Sequence, residues 1–162
     1  MSQTVLHPLP PLIWPDSRIL ILGTMPSPRS RAEDFYYAHP QNRFWPVLAA
    51  VYGEPDPGTA AGRTALLIRH RLALWDVLAS CTITGAADST IRNPVPNKIG
   101  DLLARYPGIV RICTTGATAG RLYRQLVQPH TGLPAAALPS PSAANARASF
   151  AVLVSAYRSA LL

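Results

Sequence analysis

The chain has 162 residues, 48% of them hydrophobic, which is enough for one domain with a buried core. Fifteen basic residues against eight acidic ones give a formal net charge of +7, which favours a polyanionic partner because neutralising phosphates supplies most non-specific affinity. Two cysteines are too few for a four-cysteine iron–sulfur cluster, the four histidines are too scattered for a metal site, and no apolar run approaches a membrane span.

The first predicted elements are a Pro-rich extended arm, residues 1–17, and a strand from Arg18 to Leu22. The strand is a run of β-forming residues without alternation, which is typical of a strand buried on both faces of a mostly parallel sheet. Gly23 then frees the backbone and the prolines after it forbid further pairing, so the chain turns at the carboxyl end of the strand. Open α/β sheets bind ligands at this edge, so residues 23–30 are a candidate site; the alternative is an ordinary strand-to-helix turn.

Residues 35–45 gather aromatic side chains, a histidine, an asparagine and an arginine around prolines that restrict helix formation. Tyr37 and Asn42 flank a His-Pro turn and are less suited to a packing stripe, and the aromatic side chains offer flat faces for stacking a base. The last two aromatics of the block are expected in the core, because apolar residues continue their stripe along a helix predicted over 42–52.

The pattern beyond this block alternates helices with strands, which supports a parallel sheet. No repeat or linker divides the chain, so we predict a single domain over residues 1–162. The further predicted elements are a helix over 62–70, a strand or buried segment over 72–78, a helix over 99–106, a strand over 109–114, a helix over 117–127 opened by Gly116, an apolar stretch over 133–138 and a final helix carrying Phe150, Leu153, Val154, Tyr157 and Leu161.

A second loop of small residues runs from Leu138 to Arg147 and leads into the final helix. Free N–H groups at a helix start favour phosphate, and small side chains let a backbone approach nucleic acid closely. Ser140 and Ser142 can donate hydrogen bonds to phosphate oxygens. The alternative interpretation is a Ser/Pro-rich connector.

Together these blocks resemble the uracil-DNA glycosylase superfamily, most closely its hypoxanthine (deoxyinosine) DNA glycosylase branch. The likeness covers nearly the whole chain, and its most specific part is the string His39-Pro40-Gln41-Asn42-Arg43-Phe44-Trp45. It implies an α/β fold, a three-layer α/β/α sandwich with a central, mostly parallel sheet. It also implies hydrolysis of the N-glycosidic bond of a deaminated base, hypoxanthine or uracil, flipped out of DNA.

The same resemblance implies a set of site residues. Tyr37 is the stacking face, and Asp88 with Ser89 closes the far side of the base pocket. The implied pocket residues are Gly23, Thr24, Met25, Pro26, Tyr37, Ser89 and Thr115. The implied DNA-binding residues are Ser27, Ser30, Ser140, Ser142, Ala144, Asn145 and Arg147.

The residue that acts on the attacking water has to be identified separately, because many superfamily members carry Asp or Asn where this chain has Met25. A thioether cannot orient or deprotonate water. The resemblance assigns the role to Asn42, which can position water but has no useful basicity; this suffices if the glycosidic bond breaks early through an oxocarbenium-like sugar. Asp88 is the rival group. The alternative for Asn42 is capping of a helix that begins with Arg43, and the two roles can coexist.

Two departures leave the substrate open. Leu138 replaces a histidine that relatives use at the leaving base, and Thr115 stands where the hypoxanthine branch has asparagine. The alternatives are a mismatch-specific enzyme for uracil or thymine opposite guanine, and a DNA-binding protein that has lost catalysis. Lys98, the only lysine, lies outside the motif loops, so we expect a monofunctional enzyme without a Schiff base.

The expected partner is DNA containing deaminated bases, and the expected state is a monomer without metal or other cofactor. The N-terminus has no basic region followed by an apolar one, so the expected location is the cytoplasm, in association with the nucleoid.

Overall fold

The structure, a computed structural model, describes residues 2–162; Met1, which begins the predicted arm, lies outside them. Residues 2–6 of that arm form a strand rather than an unpaired extension. The elements in chain order are β1 Ser2–Leu6, β2 Ile19–Gly23, α1 Pro28–Glu33, α2 Phe44–Val51, α3 Ala60–Arg69, β3 Leu72–Asp76, β4 Leu78–Thr84, β5 Ala87–Pro96, α4 Ile99–Arg105, β6 Arg111–Thr115, α5 Ala117–Leu122, a π-helical turn Tyr123–Val127, α6 Gln128–Thr131, β7 Ala135–Leu138 and α7 Phe150–Leu161.

The central sheet is parallel throughout, with strand order β3-β2-β6-β7. In its register Gly23 pairs with Asp76, and Thr115 pairs with Leu138. The carboxyl ends of all four strands therefore meet at one edge, and the loops that leave them share that edge. The predicted mostly parallel sheet is confirmed.

Helices cover both faces of this sheet, because β2 is apolar on both sides. Leu20, Ile21 and Leu22 are fully buried, and they divide between two core clusters. Ile21 packs with residues of α2, α3 and α7, whereas Leu20 and Leu22 pack with residues of α4 and α5. Helix, sheet and helix thus form the three predicted layers.

A second sheet was not predicted. It is antiparallel, with order β1-β4-β5, and only one residue separates the end of β3 at Asp76 from the beginning of β4 at Leu78. The Nδ2 of Asn97 donates to the carbonyls of both residues, at 2.9 and 3.0 Å, which holds the crossing between the two sheets. The predicted strand over 72–78 therefore contains the whole of β3 and the first residue of β4.

Helix boundaries also differ from the predicted ones. The helix expected over 42–52 begins at Phe44 and ends at Val51, and the helix expected over 117–127 contains the π-helical turn. None of the helices found between residues 2 and 162 is long and apolar enough to cross a membrane.

Candidate active site

A cavity of about 670 Å³ opens at the carboxyl edge of the parallel sheet. Its walls come from the loop after β2, the aromatic block before α2, the β4–β5 turn, the start of α5 and the loop after β7. Of the predicted site residues, those that line it are Gly23, Thr24, Met25, Pro26, Ser27, Ser30, Tyr37, Asn42, Asp88, Thr115, Ser140, Ser142, Ala144 and Asn145.

Two predicted residues are not brought to this cavity. Ser89 is exposed on β5, beyond the turn that forms the cavity wall, and Arg147 is exposed on the loop before α7. Neither is among the lining residues. Ser89 therefore does not close the base pocket in this conformation, while a DNA contact by Arg147 stays a prediction.

The floor of the cavity is built around Gly23. A Cβ atom placed there would lie 2.5 Å from Asp76 Oδ1, 3.1 Å from the Tyr37 hydroxyl and 3.6 Å from Thr115 Oγ1. These three oxygens come from three separate segments, namely the end of β3, the aromatic block before α2 and the end of β6. Only glycine lets them approach one point so closely.

A Gly23→Ala substitution is therefore expected to push Asp76 out of place and to cost about 1–3 kcal/mol of stability through overpacking. Gly100 is the matched control, since it lies in α4 with open space around its Cα, and Gly100→Ala is expected to be neutral or slightly stabilising. Thermal unfolding of both variants measures the difference. Equal melting temperatures for the two would contradict the tight packing at Gly23.

Asp76 is a site residue that the sequence did not reveal. Its carboxylate is only 5% exposed, and His7 Nε2 lies 2.7 Å from its Oδ2. The Leu9 backbone N–H donates to His7 Nδ1 at 3.3 Å, so Nδ1 is unprotonated and Nε2 carries the proton that is donated to Asp76. The pair is thus a neutral imidazole on a carboxylate, with net negative charge below the cavity floor.

Tyr37 presents both a ring and a hydroxyl to the site. Its backbone is left-handed, with φ 51°, and its ring stacks on Phe44 with centroids 3.9 Å apart. Its hydroxyl lies 3.1 Å from Thr115 Oγ1. Burial, and secondarily the charge of Asp76, raise the pKa of Tyr37, so the phenol stays protonated and available as a donor.

Asn42 combines a structural contact with a place in the cavity lining. Its Oδ1 accepts the backbone N–H of Phe44, the first residue of α2, at 2.9 Å. Its Nδ2 makes no hydrogen bond to any other residue between 2 and 162. The helix begins one residue later than expected, so Arg43 and not Asn42 occupies the N-cap position, although the Asn42 side chain still accepts the first N–H of the helix. This contact leaves the amide N–H groups and one lone pair of Oδ1 for a ligand or a water.

Asp88 stands at the opposite wall, next to the β4–β5 turn. Thr24 Oγ1 donates to its Oδ2 at 3.5 Å. Removal from water raises the pKa of Asp88, the bond from Thr24 opposes this, and the negative charge of Asp76 adds to the rise. The carboxyl therefore holds its proton to a higher pH than an ordinary aspartate does.

Arg43 organises the loop after β7. Its guanidinium donates to three backbone carbonyls of that loop, and its own backbone N–H donates to Pro141 O at 3.0 Å. The three carbonyls belong to Ser142 at 2.9 Å, Asn145 at 3.0 Å and Ala148 at 2.5 Å. The sequence identified Arg43 only as a member of the string from His39 to Trp45, because its partners lie about a hundred residues further along the chain.

The same loop is tightened by its own side chains. Ser140 Oγ accepts from Ser142 N, and Ser142 Oγ accepts from Ala144 N, each at 3.2 Å. Asn145 Nδ2 donates to Ser140 O at 3.0 Å, so this side chain closes the loop. The hydroxyl hydrogens of both serines remain available.

The two serines after β2 are also held within their loop. Ser27 Oγ caps α1 by accepting from Ser30 N at 3.1 Å, and it donates to Ser30 Oγ. Ser30 Oγ in turn accepts the Ala38 N–H at 3.1 Å. These bonds place the aromatic block beside the strand end, and DNA binding by either serine stays a prediction.

A family model described as the uracil DNA glycosylase superfamily matches residues 10–160. The chain belongs to the uracil DNA glycosylase superfamily. The resemblance carried by the motifs is thereby confirmed, together with the expected enzyme class, a DNA glycosylase.

Three known proteins are similar to this chain in sequence or structure. The hypoxanthine DNA glycosylase of Methanosarcina acetivorans is 33% identical over 85% of this chain and 87% of its own length. The hypoxanthine DNA glycosylase of Methanosarcina barkeri is 31% identical over 68% and 71%. A solution NMR structure of a candidate uracil DNA glycosylase from Methanosarcina acetivorans superimposes with a TM-score of 0.80 at 29% identity, covering 98% of both chains.

Proposed function

We propose that this superfamily member is a monofunctional DNA glycosylase that hydrolyses the N-glycosidic bond of hypoxanthine, uracil or both after the base has flipped out of DNA. The observation that carries the proposal is the cavity at the sheet edge, which joins a polar floor to an aromatic wall. Its volume lies in the range typical of small-molecule sites. The names of the two Methanosarcina relatives support hypoxanthine as one substrate.

DNA would be held by the loops around the cavity mouth. The formal net charge of +7 favours phosphate, and the hydroxyl hydrogens of Ser140 and Ser142 are free to meet phosphate oxygens. Arg147 is exposed on the same loop and can add a charge contact. The rigidity that Arg43 gives the loop means that little ordering is needed on binding.

The reaction breaks the C1′–N bond and sends its electron pair to the departing base. Water adds to C1′ and loses a proton to solvent, while the base takes up a proton from solvent. Asn42 positions this water through its unused amide atoms, and the carboxylates of Asp76 and Asp88 favour positive charge on the sugar. Lys98 lies on a separate groove with Trp75, which fits hydrolysis without a Schiff base.

The test is excision from labelled duplexes carrying deoxyinosine, deoxyuridine opposite guanine, or thymine opposite guanine, followed by alkaline cleavage at the abasic site. Excision of hypoxanthine, with or without excision of uracil, is expected. Excision confined to uracil or thymine opposite guanine would assign the protein to mismatch-specific enzymes. Binding without cleavage of any duplex would contradict the proposal and favour a DNA-binding protein that has lost catalysis.

A further inference from the structure

We propose that Asp76, held by His7, and the hydroxyl of Thr115 together read the base edge that deamination creates. This inference rests on the proposed function, since it concerns the base that occupies the same cavity. It makes Asp76 a specificity-determining residue and His7 a positioning residue. His7 and Thr115 have no other role in the proposed reaction.

The chain fixes His7 from two sides. Its backbone N–H donates to Ala79 O at 2.8 Å, directly after β1 pairs with β4, and its ring receives the Leu9 N–H. The imidazole is therefore locked in the tautomer that donates to Asp76 Oδ2. With its side chain only 3% exposed, His7 is shielded from solvent and holds the carboxylate in one orientation.

This bond divides the two oxygens of Asp76 between separate tasks. Oδ2 is occupied by His7, whereas Oδ1 makes no hydrogen bond to another residue in the described chain and lies at the cavity floor beside Gly23. A carboxylate oxygen can only accept a hydrogen bond. The floor therefore offers one fixed acceptor to the ligand.

Thr115 supplies the complementary donor. The Tyr37 phenol stays protonated and can donate to Thr115 Oγ1, which leaves the threonine hydroxyl hydrogen for the ligand. Thr115 Oγ1 and Asp76 Oδ1 both lie around the Gly23 position. An acceptor and a donor are thus presented side by side.

Deamination produces the matching edge. Adenine carries an acceptor ring nitrogen beside an amino group, whereas hypoxanthine carries a ring N–H beside a carbonyl, and the same change converts cytosine to uracil. The N–H would donate to Asp76 Oδ1 and the carbonyl would accept from Thr115. An undeaminated base would place a lone pair against Asp76 Oδ1, and leaving this buried carboxylate oxygen without a donor is strongly disfavoured.

Asp76→Asn is the sharpest test, because the His7 N–H still selects the oxygen of the new amide and turns its NH₂ toward the ligand. The acceptor becomes a donor at nearly constant volume. We compare excision of hypoxanthine with excision of 1-methylhypoxanthine and of unsubstituted purine, which lack the ring N–H. For uracil the matched base is 3-methyluracil. The measured quantity is the excision rate of the base that carries the N–H divided by the excision rate of its matched base. In Asp76→Asn this ratio is expected to fall about 10- to 100-fold.

His7 is tested by His7→Ala and His7→Gln in the same assay. The alanine variant loses the fixed acceptor and is expected to lose selectivity, whereas the glutamine N–H can replace the bond to Oδ2 and is expected to restore it. A purely structural role would lower all rates by a common factor and leave the ratio unchanged. Circular dichroism and thermal unfolding of each variant establish that the compared proteins are folded.

The outcomes separate this inference from the proposed function. The inference is supported if the wild-type protein excises the base, the ratio falls in Asp76→Asn and in His7→Ala, and the ratio is restored in His7→Gln. Wild-type excision with an unchanged ratio in Asp76→Asn overturns it while the proposed function stands. No excision of any base by the wild-type protein overturns both.

Discussion

Asn42→Ala is expected to lower the rate of base excision by about 100- to 1,000-fold, the loss typical of removing one positioned polar group from a transition state. DNA affinity is expected to stay within about twofold, because Asn42 lies in the cavity rather than on the loops that face phosphate. The measurement is single-turnover excision of hypoxanthine from the deoxyinosine duplex with enzyme in excess, beside fluorescence anisotropy of the labelled duplex.

The contact between Asn42 and the first residue of α2 calls for a matched variant. Losing an oxygen that accepts a helix N-terminal N–H costs about 1 kcal/mol, so Asn42→Ala is also expected to melt a few degrees lower. Asn42→Ser keeps an oxygen for the Phe44 N–H but has no amide to reach water. If Asn42→Ala and Asn42→Ser lose excision equally, and only Asn42→Ala loses stability, then the loss of excision reflects a catalytic role of Asn42. Full activity in Asn42→Ala would reduce Asn42 to a helix contact.

Asp88 is the alternative residue for activating the water, and the pH dependence of the excision rate distinguishes it from Asn42. Because removal from water raises its pKa, the ionised form becomes dominant at a higher pH than for an ordinary aspartate. If Asp88 activated water, excision would rise with pH through that raised pKa, and Asp88→Asn would abolish the rise. If Asn42 alone positions water, Asp88→Asn leaves the shape of the pH profile unchanged.

Local pattern was enough to predict where the site lies. The unbroken apolar run of β2 required burial on both faces, which only a sheet covered by helices provides. Once the sheet is parallel, Gly23 and Thr115 must meet at its carboxyl edge, although 92 positions of the printed sequence separate them. Turn residues after each strand then mark the loops that form the walls.

The contacts that refine the site could not be predicted in this way. His7 and Asp76 are 69 positions apart, and their pairing depends on β1 joining β4 in a sheet that sequence analysis did not predict. In the sequence, Asp76 is the only charged residue of the apolar segment 72–78. Periodicity reports which side of an element is buried, and it carries no information about which distant side chain a buried carboxylate bonds.

Arg43→Ala is expected to be the most destabilising substitution near the site. It would leave three loop carbonyls without their donor and cost about 2–4 kcal/mol, since each buried unpaired group costs about 1–3 kcal/mol and water recovers part of the loss. For a chain of this length the melting temperature would fall by roughly 5–15 °C. Excision and DNA affinity would both fall, because the loop that carries Ser140 and Ser142 would no longer be preorganised. Thermal unfolding and anisotropy measure the two effects.

Arg43→Lys and Arg147→Ala distinguish the effect of the guanidinium geometry at Arg43 from the effect of positive charge on the loop. A lysine keeps the positive charge but has no planar fork that can reach three carbonyls at once, so it is expected to behave more like alanine than like arginine. Arg147→Ala removes an exposed charge from the same loop and is expected to weaken DNA binding without lowering the melting temperature. Normal stability and excision in Arg43→Lys would show that charge alone matters at this position. The arginine of the motif would then act on DNA directly, and the loop after β7 would hold its shape through its serine and asparagine bonds.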